Sequence, residues 1–355
     1  MDLEYKAKKL IEEYNMIDNG DNILVAFSGG SDSSALLFFL VECIKNSEGD
    51  KKNKIYAAHM NHMIRGDEAD SDEKFAVEIC EKYNIKIFTE HKNIPEIAKL
   101  SKKSVEEAAR DERYDFFRRI SGLIGGNKNG NENVKVATAH TASDNTETII
   151  FNLARGSGLN GLSGISPVNI KQNMTIIRPL LSCSKEDILK YCKQNNILYT
   201  EDSTNTDEHY TRNFIRHSIS AKLKERFDNL DENIFKAAEI VRDTVGFIDF
   251  CVDGIINNPD NSDGTDIDFL LTRHIALRRA AITKLYENAI YPEKKKLEFK
   301  HVLYIEELLK NAVYSKNPGN FKKSVDLPGF VTAMITDKKL IFMKIEDKKT
   351  SKNRK

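Results

Sequence analysis

The sequence predicts an α/β protein: a doubly wound, mostly parallel sheet, followed by a smaller, mainly helical domain with a short C-terminal β-meander. Over residues 23–153, short apolar runs alternate with amphipathic segments. Such alternation is typical of a parallel sheet with helices on both faces. After about residue 228 the alternation stops and helical periodicity replaces it.

The elements of the first part follow one another in regular order. Strands are predicted at 23–27, 55–59, 85–90 and 134–140, and helices at 33–43, 70–83, 105–123 and 142–153. Ser184 and Asp187 have capping-box spacing, so a helix is expected to run to about Gln194, and a basic helix follows at 210–227. The polar, glycine-rich stretch 125–131 is predicted to be a surface loop.

The later part is predicted to be helical and then to form three short strands. Helices are expected at 232–256, 273–289 and 299–309, and strands at 324–327, 330–335 and 340–343. Pro328-Gly329 and Asp337-Lys338 are the expected turns between these strands. These patterns divide the chain into domains at 1–220 and 221–345, and the charged residues 346–355 are expected to form a disordered tail.

Composition limits the classes of protein to which this chain can belong. A chain of 355 residues with 40% hydrophobic and 30% charged positions can bury at least one full core. No apolar run approaches the roughly 20 residues of a membrane span, and the N-terminus lacks a signal-peptide pattern, so a cytoplasmic location is expected. The five cysteines form no Cys-x-x-Cys pair, which favours neither disulfides nor a thiolate-bound metal. The formal net charge of zero argues against coating nucleic acid through bulk positive charge.

The loop Ser28–Ser33 connects the first predicted strand to the first predicted helix. Its sequence, Ser-Gly-Gly-Ser-Asp-Ser, allows a tight turn whose backbone N–H groups and hydroxyls face an anion at a helix N-terminus. It is neither a Walker loop, because no Gly-Lys-Ser/Thr follows, nor a Rossmann Gly-x-Gly-x-x-Gly. An ordinary strand-to-helix turn is the simpler alternative. Its position and its six-residue pattern favour a phosphate site, and therefore an ATP-using enzyme.

Two further polar clusters are predicted on helices. His140, Asp144 and Glu147 have i, i+4, i+7 spacing and share one helix face, which suits an ammonium group or Mg²⁺ better than zinc. The same turn also fits a helix cap. Arg110 and Arg113 lie among acidic residues, so in isolation they indicate an ion-paired, solvated helix face.

In order and spacing these segments resemble the tRNA(Ile)-lysidine synthetases, within the PP-loop (N-type) ATP pyrophosphatase superfamily. The resemblance covers most of residues 23–216 and is carried by ILVAFSGGSDSS (23–34), HMNHMIRGD (59–67), SVEEAARDERYDFF (104–117), VATAHTASDNTETIIFNLARGSGLNGLSG (136–164), IRPLL (177–181) and YTEDSTNTDEHYTRNFIR (199–216). It implies an adenine nucleotide α-hydrolase-like fold, with a PP-loop catalytic domain at 1–220 and a tRNA-binding domain at 221–345.

The resemblance also implies an activity. ATP would adenylate the C2 oxygen of the wobble cytidine of a CAU-anticodon tRNA(Ile) and release pyrophosphate. The amine of lysine would then attack C2 and expel AMP, which makes the enzyme a C–N ligase that forms lysidine. The implied cofactor is Mg²⁺, and the implied partners are this tRNA and L-lysine, without a membrane. The oligomeric state is left open, with a homodimer as one option.

The resemblance assigns roles to residues of this sequence. ATP would be bound by Ser28, Gly29, Gly30, Ser31, Asp32, Ser33, Asn61, His62 and Arg65, with Asp32 also contacting Mg²⁺. Lysine would be bound by His140, Asp144 and Glu147, and tRNA by Arg212, Asn213 and Arg216. The implied catalytic residues are Asp32, Arg110, Arg113 and Asp144, with the two arginines on the α-phosphate or the tRNA backbone.

The sequence departs from the family at two positions and leaves two alternatives open. Thr141 and Ser143 stand where the family often has a second histidine and an acidic residue. The chain ends soon after the meander, so recognition of tRNA is expected to depend on residues 228–345.

One alternative is another PP-loop tRNA-modifying enzyme, such as a tRNA thiolase, which would need paired cysteines. The other is a catalytically silent tRNA-binding protein.

Overall fold

The computed structural model describes residues 2–45, 53–64, 66–125, 134–200, 211–257, 264–292, 295–315 and 323–344. The chain forms two compact units, Met1–Val241 and Arg242–Lys355. The domain boundary predicted from the sequence, at residue 220, lies before this division. The predicted loop at 125–131, apart from Gly125, and the predicted tail at 346–355 lie outside the described residues.

The first unit is built from alternating helices and strands. In chain order these are α1 (Leu3–Glu13), β1 (Asn22–Ala26), α2 (Ser31–Lys45), β2 (Lys54–Asn61), α3 (Asp67–Lys82), β3 (Lys86–His91), α4 (Ile94–Ser101), α5 (Val105–Gly125), β4 (Val134–Ala137), α6 (Ala142–Ala154), α7 (Leu159–Leu162), β5 (Val168–Lys171), β6 (Met174–Ile177), α8 (Lys185–Gln194), α9 (Thr211–Phe214), a π-helical turn (Ile215–Ser220) and α10 (Ala221–Lys224). The next helix, α11 (Leu230–Ile256), contains the division between the units.

The six strands of the first unit form one sheet in the order β3-β2-β1-β4-β6-β5. Every neighbouring pair is parallel except β5 and β6, which form an antiparallel hairpin at the edge. This topology confirms the predicted doubly wound, mostly parallel sheet. The carboxyl ends of its parallel strands lie at one edge, where ligands bind in open α/β sheets.

Both faces of the central strand β1 are buried, which is typical of a parallel sheet covered by helices. Ile23 and Val25 pack into a core that also contains Leu36 of α2. Leu24, on the opposite face, packs into a second core with Phe116 of α5. Alternate side chains of one strand therefore fix helices on either side of the sheet.

Some elements were not predicted, although the sequence carries signals for them. Leu3, Ala7 and Leu10 of α1 are buried at the i, i+4, i+7 spacing of an amphipathic helix. The β5–β6 hairpin turns through Gln172 and Asn173, whose φ angles of +51° and +61° suit a two-residue hairpin turn. The predicted strand 134–140 ends at Ala137 instead, and residues 138–140 leave the sheet to enter the site described below.

The second unit contains helices and a small antiparallel sheet. After α11 come β7 (Thr265–Asp266), α12 (Ile267–Leu271), α13 (Ile275–Ile290), α14 (Phe299–Val313), β8 (Lys323–Leu327), β9 (Val331–Thr336) and β10 (Lys339–Lys344). The strand order is β7-β10-β9-β8, which confirms the predicted C-terminal meander. Its turns place Gly329, Asp337 and Lys338 at positive φ. Among the helices of the described residues, none has the length and hydropathy needed to cross a bilayer.

Candidate active site

The loop Ser28–Ser33 connects β1 to α2 and is anchored on a neighbouring segment. Gly29 has a φ of +89°, a conformation that favours glycine. A Cβ there would lie 3.3 Å from both the Phe75 ring and Thr200 Oγ1. The Thr200 N–H donates to the Gly29 carbonyl at 2.9 Å. Glycine at this position therefore permits both the turn and the close approach of residue 200.

The serine hydroxyls of the loop hold its shape. Ser33 Oγ donates to the Gly30 carbonyl at 3.0 Å and accepts from the Ser28 N–H at 3.2 Å. Ser34 Oγ donates to the Gly29 carbonyl at 3.2 Å. These bonds leave the backbone N–H groups of the first turn of α2 as the principal donors for an anion.

Lys185 reaches this loop and was not predicted as a site residue. Its Nζ lies 2.8 Å from Ser31 Oγ and 2.5 Å from Asp32 Oδ1. It is the first residue of α8, which the predicted capping box between Ser184 and Asp187 positions. A lysine beside a phosphate-binding loop is what the Walker motif would have provided, but here 153 positions separate it from Asp32. No local sequence signal could reveal that proximity.

Asn61 and His62 lie at the carboxyl end of β2. Asn61 is buried, and its Nδ2 donates to Asp70 Oδ1 at 2.9 Å while its Oδ1 accepts from the Met63 N–H at 3.0 Å. These bonds shape the turn after β2. A terminal nitrogen of Arg113 lies 3.4 Å from His62 Nε2, so one predicted nucleotide residue contacts one arginine of α5. Arg65 lies outside the described residues.

Arg110 and Arg113 differ from the later arginines of the same helix. Arg118 and Arg119 form ion pairs with carboxylates. Arg110 and Arg113 form none with any carboxylate of the described chain, and the Arg110 guanidinium lies 5.6 Å from the centre of the Tyr114 ring. An ion-paired, solvated face therefore describes Arg118 and Arg119 but not Arg110 and Arg113. The two unpaired guanidinium groups suit an anionic ligand.

The start of α6 serves as both a helix cap and a polar site. The Thr141 N–H donates to Asp144 Oδ2 at 2.8 Å, and the Asp144 N–H donates to Thr141 Oγ1 at 3.3 Å. His140, which precedes the cap, has Nδ1 2.9 Å from Thr138 Oγ1. Burial lowers the pKa of His140 to about 4 although Asp144 opposes the shift, so the ring is neutral at pH 7. The capping box fixes Asp144 in place.

Glu147 lies one turn further along α6 and is paired with an arginine. Burial raises the pKa of Glu147, and Arg216 opposes that shift. Arg216 Nε lies 2.7 Å from Glu147 Oε1, and one terminal nitrogen lies 3.1 Å from Glu147 Oε2 and 3.3 Å from Asp144 Oδ1. The structure thus places Arg216, predicted to contact tRNA, on the two carboxylates predicted to bind lysine. The side chain of Arg212 lies outside the described residues, and Asn213 is partly buried in α9.

Ser143 has a structural contact of its own. Ser143 Oγ donates to Asp231 Oδ2 at 2.6 Å, and Thr146 Oγ1 donates to Asp231 Oδ1 at 2.8 Å. Lys224 Nζ lies 2.7 Å from the same carboxylate. Asp231 lies in the first turn of α11, so these bonds attach α11 to the helix that carries Asp144 and Glu147.

The cysteines have the environment of small buried hydrophobic residues. All five are free thiols. Burial raises the pKa of Cys80 and of Cys183 to about 12, so both stay protonated at neutral pH. The described chain contains no group of three His, Cys, Asp or Glu side chains placed to share a metal ion.

Comparisons with known proteins show the family to which the chain belongs. Residues 1–223 match the family described as the PP-loop domain, which is an ATP-binding domain. The tRNA(Ile)-lysidine synthase of Caldanaerobacter subterraneus is 33% identical over 352 residues, which are 98% of this chain and 70% of that protein. The enzymes of the same name from Clostridium perfringens and Thermosipho africanus are each 39% identical over 64% and 67% of this chain. This chain spans only 45% and 52% of their lengths.

A solved structure shares the fold. The U34-tRNA thiolase NcsA from Methanococcus maripaludis, with its [4Fe-4S] cluster, superposes with a TM-score of 0.52 at 18% identity. The superposition covers 67% of this chain and 79% of that one. At this level of identity the likeness concerns the sheet and its helices alone. The match to the Caldanaerobacter protein, over 98% of this chain, is more specific, and the chain therefore belongs to the tRNA(Ile)-lysidine synthase family of PP-loop proteins.

Proposed function

We propose that this chain ligates lysine to C2 of the wobble cytidine in tRNA(Ile) with a CAU anticodon, consuming ATP and releasing pyrophosphate and AMP. One observation carries the proposal. The loop Ser28–Ser33 follows β1, the carboxylates Asp144 and Glu147 follow β4, and β1 and β4 are adjacent parallel strands. A phosphate-binding loop and an acidic pair therefore lie at the same edge of the sheet, as joining an ATP-activated group to an amine requires.

The chemistry needs two steps. The C2 oxygen of cytosine is a poor leaving group, so it first attacks the α-phosphate of ATP and displaces pyrophosphate. An amine of lysine then attacks C2, the C2–oxygen bond breaks, AMP departs, and the nitrogen loses a proton to a neighbouring base. The N–H groups of the loop and Lys185 would hold the departing pyrophosphate. Arg110 and Arg113 would balance the charge that develops at the α-phosphate.

Asp32 fits a Mg²⁺ contact on this loop. Both of its side-chain contacts in the described chain, with Lys185 and with Ser31, use Oδ1. Oδ2 is thus left for a cation. A single carboxylate with phosphate oxygens and water is the usual protein environment of Mg²⁺. When bound there, the ion would neutralise charge on the pyrophosphate.

Asp144 and Glu147 would recognise the positive end of lysine. Two carboxylates on one helix face attract an ammonium group, and one of them would accept the proton released as the amine attacks. In this structure Arg216 contacts both carboxylates. We infer that the arginine moves aside or shares the carboxylates when lysine binds.

The tRNA would enter beside α9 and the following π-helical turn. A wobble base lies in an exposed loop, so it reaches a recessed site at less cost than a base within a duplex. Arg212 and Asn213 are the proposed contacts to the anticodon loop. The second unit would contribute to recognition of the tRNA body.

A pyrophosphate-release assay separates this function from its alternatives. The proposed enzyme releases pyrophosphate only when CAU-anticodon tRNA(Ile) is present and releases AMP only when lysine follows. A silent tRNA-binding protein would release neither product. A thiolase would respond to a sulfur donor and not to lysine, and the sequence has no Cys-x-x-Cys pair to support that chemistry.

A further inference from the structure

Arg178 is a buried cation whose charge no residue of the described chain balances. It follows β6 directly, and its side chain is almost fully enclosed, with 5% of the residue exposed. One terminal nitrogen donates to the Ser166 carbonyl at 2.6 Å, and the guanidinium lies beside the Tyr114 hydroxyl. Its Nε has no hydrogen-bond partner among the described residues, and no carboxylate there pairs with it.

Buried charges in proteins are ordinarily paired, because removing an ion from water is costly unless another charge compensates. The chain follows this rule at its other buried arginine in the described segments. Arg278 has Nε 3.1 Å and a terminal nitrogen 3.0 Å from Glu306 Oε1. Arg178 departs from the rule at the sheet edge that carries the ATP loop and the acidic pair. An anionic ligand would supply the balancing charge.

The neighbours of Arg178 are positive as well. Arg110 lies close by: its guanidinium is 5.6 Å from the centre of the Tyr114 ring, and its charge helps to lower the pKa of Arg178. Besides burial, the charges of Arg178, Arg110 and Arg113, in that order, help to lower the pKa of His140. All three guanidinium groups therefore lie near His140. None of them has a carboxylate partner in the described chain.

We propose that Arg178 is a substrate-binding residue that forms, with Arg110, a subsite for an oxyanion of a substrate. A guanidinium fork matches the paired oxygens of a phosphate or a carboxylate. Under the proposed function, on which this inference rests, two groups supply such oxygens. One is a phosphate of ATP, and the other is the α-carboxylate of lysine, which Asp144 and Glu147 cannot bind.

The test compares Arg178→Met and Arg178→Lys with the unchanged full-length chain. Binding of a non-hydrolysable ATP analogue, of lysine, and of cadaverine, which is lysine without its carboxylate, is measured by calorimetry. Arg119→Met is the matched control, because Arg119 is an ion-paired arginine on the same helix as Arg110. Urea unfolding verifies that each variant is folded. Arg178→Lys keeps the charge but loses the forked guanidinium, and it provides the test if Arg178→Met does not fold.

The outcomes separate the two ligands. If the subsite holds phosphate, the Arg178 variants lose about 30-fold or more in affinity for the ATP analogue, and lysine binding is unchanged. If it holds the carboxylate, lysine affinity falls by a similar factor, cadaverine binding is unchanged, and the preference for lysine over cadaverine disappears. Folded variants that bind both ligands as the unchanged chain does would overturn the inference. An unchanged chain that binds neither ligand would instead refute the proposed function.

Discussion

Arg216 binds Glu147 through two parallel contacts, with Nε 2.7 Å from Oε1 and a terminal nitrogen 3.1 Å from Oε2. The same terminal nitrogen lies 3.3 Å from Asp144 Oδ1. One cation of the chain therefore contacts both carboxylates of the pair that suits an ammonium ligand. Under the proposed function, lysine would compete with Arg216 for these oxygens.

Replacing Arg216 with glutamine should strengthen lysine binding in the absence of tRNA. The substitution removes the competing cation. For a partly exposed ion pair, this should improve the binding free energy of lysine by about 1 kcal/mol, which is about fivefold in affinity. Calorimetry at pH 8 measures the change. Arg226→Gln, an exposed arginine after α10, is the control and should leave lysine affinity unaltered. Equal or weaker lysine binding by Arg216→Gln would show that the arginine does not compete.

As the pH is lowered, lysine binding should be lost at a higher pH than it would be if a glutamate of ordinary pKa bound the ammonium group. Burial raises the pKa of Glu147, and only the ionised carboxylate attracts an ammonium group. Binding is therefore retained above this pKa and is lost as the pH falls through it. Arg216 lowers the pKa of Glu147, so the midpoint should move upward in Arg216→Gln. Lysine titrations between pH 4.5 and 8 test this, and identical midpoints in both proteins would rule it out.

Asp144→Asn should abolish lysine transfer while leaving ATP binding largely intact. Asparagine can still accept from the Thr141 N–H, so the loss of stability should stay at about 1 kcal/mol or less. Asp187→Asn is a matched control, because Asp187 occupies the same position in the Ser184 capping box of α8. It should lower stability without stopping transfer. Urea unfolding and a lysine-transfer assay measure the two effects, and normal transfer by Asp144→Asn would remove this residue from the site.

Lys185→Met should raise the KM for ATP about tenfold or more and leave the KM for lysine unchanged. The ammonium group of Lys185 contacts Ser31 and Asp32 directly, and loss of a charge-assisted contact to phosphate costs roughly 1.5–3 kcal/mol. Lys190→Met, an exposed lysine on the same helix, should change neither constant. Steady-state kinetics with each substrate varied in turn give the comparison. A proportional rise in both KM values would indicate a general structural role instead.

Local patterns in the sequence predicted much of the first unit. The apolar runs identified β1 to β4, and cap spacing correctly predicted the starts of α6 and α8. The spacing of Asp144 and Glu147 was enough to predict that both carboxylates share one helix face. The short α1 and the β5–β6 hairpin have comparable signals, in the spacing of Leu3 and Ala7 and in the turn at Asn173, and could have been found in the same way.

Contacts between distant parts of the chain could not be predicted. Arg216 meets Glu147 across 69 positions, and Lys185 meets Asp32 across 153. A basic residue on a predicted helix is equally consistent with a solvated surface and with an internal ion pair, because its partner depends on how the helices pack. For the same reason the sequence could not show that Arg178 is buried without a carboxylate partner.

The most direct test is lysine incorporation into tRNA. The purified chain is incubated with radiolabelled lysine, ATP and Mg²⁺, together with either unmodified CAU-anticodon tRNA(Ile) or the initiator tRNA, which has the same anticodon. We predict that label enters tRNA(Ile) at the wobble cytidine, that incorporation requires ATP, and that initiator tRNA stays unlabelled. No incorporation into tRNA(Ile), by protein that binds both ATP and this tRNA, would contradict the proposed function.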